Sequence, residues 1–125
     1  MLQRIRDVLL LVRLGRVRGY EARHDHVGAL RAIESISYSG RYSGLVAAYT
    51  TRLLAMTRDE RAFGHVRNVR RFIREHEAQL AYADYCLAYC DYLECVLLRR
   101  PHAEAGAEVL RQKSSSLVRR TLLVI

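Results

Sequence analysis

The sequence predicts an all-α protein built from antiparallel helical hairpins. Three observations carry that expectation. Chain breakers are scarce, with one proline and seven glycines in 125 residues, while Ala, Leu and Arg are abundant and favour long helices. Apolar residues recur at spacings of three and four, the period of a helix with one buried side. A short pattern with an acidic turn residue also returns every 33 residues.

The elements follow in order. Residues 2–23 read as one amphipathic helix, with Leu2, Ile5, Leu9 and Val12 at helical spacing and arginines over much of the remainder. His24-Asp25-His26 reads as a turn. Residues 27–37 form a second helix, with Ala29, Leu30, Ile33 and Ile36 on one side. The Ser/Gly-rich run Tyr38 to Gly44 is a loop. Residues 45–56 return to helix, and Thr57-Arg58-Asp59 is a short break that offers an N-cap. A fourth helix spans 60–75. A fifth spans 77–100 and stops before Pro101, which disfavours helix at the residue preceding it. Residues 102–113 can form another. Residues 1–113 make one helical domain, and 114–125 a serine-rich linker with a short apolar C-terminal tail.

Three segments align at a period of 33: residues 24–36, 57–69 and 89–100. Each has an acid at the turn (Asp25, Asp59, Asp91) and a small residue at one phase (Ala29, Ala62, Cys95). A small residue early in the second helix of a hairpin lets two helices approach, and the aliphatics after it fill the groove to the next hairpin. This pattern resembles the tetratricopeptide repeat, a helix–turn–helix unit of about 34 residues. The resemblance covers roughly residues 10–100 by that repeat length. It is best over Tyr20 to Ile36, where Tyr20 precedes Ala29 by nine and Asp25 and His26 occupy the turn. The departures are the absence of tryptophan, a Leu14-Gly15 pair slightly out of phase, and Arg99 with Pro101 in the third segment. The resemblance implies a right-handed hairpin repeat with a protein-binding groove. A small helical bundle is the alternative architecture.

Charge is unevenly placed. The net charge is +8. Twenty arginines against one lysine is a ratio that codon bias in a GC-rich genome also produces, so the position of charge says more than its total. Residues 41–74 hold eight arginines and two acids, whereas 75–98 hold five acids and no arginine or lysine. In the fourth helix Ala62, Val66, Val69 and Ile73 form a narrow core stripe. Arg67, Arg70, Arg71 and Arg74 form a basic ridge beside it, able to grip phosphates or acidic side chains. The acidic block can instead pair with that ridge within the fold.

No P-loop, nucleophile elbow, dinucleotide fingerprint or zincin motif occurs, so no catalytic residue, cofactor or metal is expected. Cys86 and Cys90 share a helix face without metal-site spacing and read as small buried apolar residues. Asp25, between His24 and His26, reads as a helix cap rather than a ligand. Tyr82, Tyr85, Tyr89 and Tyr92 form a stripe suited to helix packing. Three cysteines within ten residues are no disulfide framework. The run Val8 to Val12 is too short to span a bilayer, which points to the cytoplasm.

The expected function is non-catalytic: a protein-interaction module or small adaptor whose partner is a protein, a peptide or a second copy of the chain. Its groove is lined by helices 45–56 and 77–90, with Tyr49, Arg52, Tyr82 and Tyr85 as contacts. The alternative is a basic protein contacting nucleic-acid phosphates through Arg67, Arg70, Arg71 and Arg74.

Overall fold

A computed structural model describes residues 2–99 and 103–114. Those residues contain six helices and no strand: α1 (Leu2–Ala22), α2 (His26–Glu34), α3 (Ser43–Met56), α4 (Ala62–Glu75), α5 (Ala83–Leu97) and α6 (Ala103–Lys113). Except for Ser114, the expected linker and tail lie outside the described residues. The chain folds as three hairpins, α1/α2, α3/α4 and α5/α6. They associate through α2 on α3, α4 on α5, and α3 on α5.

The turns inside the hairpins are alike because their backbone chemistry is alike. Each leading helix ends on a residue with left-handed φ: His24 at 59°, Arg58 at 55° and Arg99 at 53°. At the first turn Asp25 N–H donates to the Tyr20 carbonyl at 2.9 Å, and His24 N–H to that of Glu21 at 2.9 Å. At the second, Asp59 N–H donates to Leu54 at 2.9 Å and Arg58 N–H to Ala55 at 3.1 Å. This paired closure satisfies carbonyls that a helix end leaves without partners. The acid that follows starts the next helix. Asp25 accepts from Gly28 N–H at 2.9 Å as the cap of α2, and Asp59 accepts from Arg61 N–H at 2.9 Å just before α4.

The core takes one side of every helix. Ala29 and Ala62 are both fully buried, and Ala62, Val66, Val69 and Ile73 form the inner stripe of α4 as their spacing predicts. Tyr85, Tyr89 and Tyr92 of the tyrosine stripe are interior.

Two expectations are corrected. The third repeat segment is misplaced, because residues 89–97 continue α5 instead of opening a second helix, so Asp91 and Cys95 sit mid-helix. The spacing of Ala62, Val66 and Val69 returns at Ala103, Ala107 and Leu110 in α6, where Ala107 and Leu110 are buried. The period stretches because α4 has 14 residues where α2 has 9. The start of α5 also moves, from 77 to Ala83. Tyr82 has a left-handed φ of 58°, and Ala81 N–H donates to the Arg41 carbonyl at 2.7 Å, holding 76–82 as a connection between hairpins.

The orientation of α1 also differs from the simplest reading of its stripe. Leu10, Leu14, Val17 and Glu21 face the core. Leu2, Ile5, Leu9 and Val12 face outward. Alpha1 has apolar residues on two nearly opposite sides, and α2 covers one of them. Among the described residues no helix is long and apolar enough to cross a membrane.

Candidate functional site

Three of the four expected groove contacts prove to be interior. Tyr49, Arg52 and Tyr85 are buried, and Tyr82, beside the start of α5, is exposed. Tyr49 and Arg52 belong to one polar network through the three leading helices. Tyr49 Oη donates to Glu21 at 3.0 Å, Arg52 Nε donates to Glu21 at 2.9 Å, and an Arg52 terminal nitrogen donates to Tyr89 Oη at 3.1 Å. Burial works against the Arg52 charge, but Tyr89 and Glu21 hold its pKa above the usual value. Burial pushes the Tyr89 phenol up to about 12. These side chains join hairpins and leave a partner little surface to touch. Nothing local marks Arg52 for burial, because Glu21 lies 31 residues away in sequence.

The basic ridge divides. Arg70 leans across to α5, where it pairs with Asp91 at 3.0 Å and with Glu94, and its side chain is 19% exposed. Burial opposes its charge, and the two carboxylates hold its pKa up. Arg67, Arg71 and Arg74 stay exposed. They flank a shallow open depression with Glu75. Among the described residues none of these three forms an ion pair. The basic and acidic blocks therefore meet through Arg70, and three cations remain available.

Among the described residues, the most exposed aliphatic side chains gather on the outer side of α1. Leu2 is 73% exposed, Ile5 54%, Val8 58% and Val12 66%, with Leu9 and Leu11 beside them. Isolated exposed aliphatics are ordinary, but a contiguous set on one helix marks a contact surface. Further along the same side stand Gly15 and Gly19, and a Cβ added to either would meet nothing within 4 Å. Arg4 and Arg18 border one edge. Arg16 and Arg23 border the other. The helix's two acids point elsewhere. Asp7 accepts from Tyr38 Oη at 2.7 Å and from Gln3 at 3.0 Å, and Glu21 is in the core. Burial and the Asp7 carboxylate push the Tyr38 phenol up to about 12. A groove between α1 and residues 35–39 is lined by Arg6, Arg13, Arg16, Ile36 and Ser37.

The remaining sequence candidates are structural in placement. Cys86 and Cys90 are free and buried, with thiols pushed up by burial, Cys90 to about 12. A raised pKa disfavours the thiolate that metals bind. His24 occupies the left-handed turn position, and Asp25 is engaged as a cap. Among the described residues no three His, Cys, Asp or Glu side chains are grouped to hold a metal ion. No protein family, curated protein or solved structure matches the chain.

Proposed function

We propose that the chain is a non-catalytic interaction module that works in the cytoplasm and docks a protein through the outer face of α1. The carrying observation is the row Leu2, Ile5, Val8 and Val12, each more than half exposed on one side of a helix whose other side is already packed. Leaving such a row in water is unfavourable by roughly 25 cal/mol per Å² of apolar area that a partner would cover. We read the three hairpins as tetratricopeptide-like, on their matching left-handed turns and the shared phase of Ala29 and Ala62. The groove contacts of the sequence-based reading give way to the α1 face because Tyr49, Arg52 and Tyr85 are interior. The buried Glu21–Arg52 pair is occupied in joining hairpins, which supports a non-catalytic role. Three unpaired cysteine thiols suit a reducing interior.

A second reading rests on the free arginines of α4. Arg67, Arg71 and Arg74 stand together, exposed, and are suited to phosphate contacts without base specificity. One capture experiment, run with and without nuclease, separates the two. The wild type is compared with Val8→Glu/Val12→Glu and with Arg67→Glu/Arg71→Glu/Arg74→Glu. Docking through α1 predicts protein capture lost in the first variant and kept in the second. Capture that disappears with nuclease, or with the arginine variant alone, supports the nucleic-acid reading.

A further inference from the structure

The outer row of α1 has a more specific geometry than an apolar patch. Ile5, Val8, Val12, Gly15, Gly19 and Ala22 are spaced three, four, three, four and three, and all six are exposed. That alternation is the a/d seam of a coiled coil. The seam is also divided by size. Its N-terminal half is aliphatic and its C-terminal half is glycine and alanine. Both glycines face open space, so among the described residues nothing uses them for close packing. In a helix interior each weakens the free chain relative to alanine.

A seam with a large half and a small half is complementary to itself when reversed. Resting on the α1 reading above, we infer that its occupant is a second copy of this chain, docked antiparallel about a two-fold axis along α1. Antiparallel coiled coils set a positions against d positions. In the register that sets Ile5 against Ala22 of the second copy, Val8 falls on Gly19 and Val12 on Gly15. The two-fold axis repeats these three layers, so every layer pairs a large residue with a small one. The seam runs 17 residues, about 25 Å at 1.5 Å per residue. Isologous contacts of this kind are the commonest route to a dimer.

The edge residues suit the same arrangement. Along one edge run Leu2, Leu9, Arg16 and Arg23, and along the other Arg4, Leu11 and Arg18. Reversal sets Leu9 beside the exposed Arg16 of the second copy, so the aliphatic arginine stem covers the leucine while the guanidinium reaches water. Arg18 Nε is buried and Arg23 lies over the Tyr20 ring, so neither reaches across. A parallel pair would stack glycine on glycine and valine on valine. Partial repulsion persists because both helices are cationic, so added salt strengthens the antiparallel dimer by screening it.

Sedimentation of the full chain over a concentration series tests this. The expected result is a reversible monomer–dimer equilibrium that tightens with salt. Val8→Glu should weaken it at least tenfold, and Gly15→Leu should weaken it too by filling the pocket for Val12, with both variants keeping wild-type helix content by circular dichroism. Orientation is read by disulfide trapping. A mixture of Val8→Cys and Gly19→Cys chains should cross-link to each other, whereas Val8→Cys alone should not, its two copies lying about 16 Å apart along the axis. A strictly monomeric wild type overturns the inference, and so does self-linking of Val8→Cys, which means a parallel pair. Sedimentation with vesicles of phosphatidylserine and phosphatidylcholine, lost in Val8→Glu with no dimer in solution, assigns the face to membranes and also overturns it. A monomer whose α1 variants still lose protein capture overturns this inference alone and leaves the interaction role standing.

Discussion

Glu21 Oε1 accepts from Arg52 Nε at 2.9 Å, and this buried ion pair ties the end of α1 to the middle of α3. Tyr49 and Tyr89 complete its hydrogen bonds, so the charge is compensated on both sides. Removing one member leaves the other charged and buried, which costs about 3–5 kcal/mol. Glu21→Ala and Arg52→Ala should each lower urea-unfolding stability by that amount. The double substitution Glu21→Leu/Arg52→Met should cost far less than the two single losses together, because it removes both charges. Additive losses would show that the pair does not act as a unit.

Ala29 and Ala62 stand at equivalent points of the first two hairpins, each fully buried. A side chain with three more carbons has no space there. Ala29→Leu and Ala62→Leu should destabilise by about 1–3 kcal/mol through overpacking. Thermal melts with unchanged midpoints would show that the helices can separate to admit the larger residue.

His24 and Arg58 close the first two hairpins with left-handed φ, a conformation that carries a steric penalty for residues with a Cβ. Glycine pays no such penalty but has more freedom to lose on folding. His24→Gly and Arg58→Gly should therefore stabilise by about 1 kcal/mol or less. Chemical denaturation reads the sign directly, and a loss of stability in both variants would refute the steric account.

His65 Nδ1 lies 2.7 Å from Thr51 Oγ1, joining α4 to α3. Burial, and then the charge of Arg61, lower its pKa from the ordinary value. The unfolded chain thus takes up this proton more readily than the native one. The stabilisation is complete above the ordinary histidine pKa and is lost as pH falls through the lowered value. Between about pH 7 and pH 5 the melting temperature should drop, and His65→Asn should reduce the drop. An equal drop in the variant would place the sensitivity at other groups.

Much of the hairpin scaffold was legible locally. The turns at His24–His26 and Thr57–Asp59, the Asp25 cap and the inner stripe of α4 all depend on residues within a few positions of one another. The third segment was misread because α4 runs longer than α2, and helix length depends on what the last turn packs against. The candidate site was less legible. Arg52 and Tyr49 carry polar tips that suit a surface equally well, and their burial rests on Glu21, on another helix.

The sequence by itself determined that this chain is helical, where its first two hairpins turn and that four arginines line one side of α4, because helical period, capping and charge order are properties of neighbouring residues. Only the tertiary structure decided which side of α1 faces inward. Leu2, Ile5, Leu9 and Val12 have helical spacing as good as that of Leu10, Leu14 and Val17. The second set continues to Glu21, whose carboxylate must meet Arg52 and Tyr49. That requirement turns the first set to the surface, since one helix packed on α2 cannot bury two opposite faces at once.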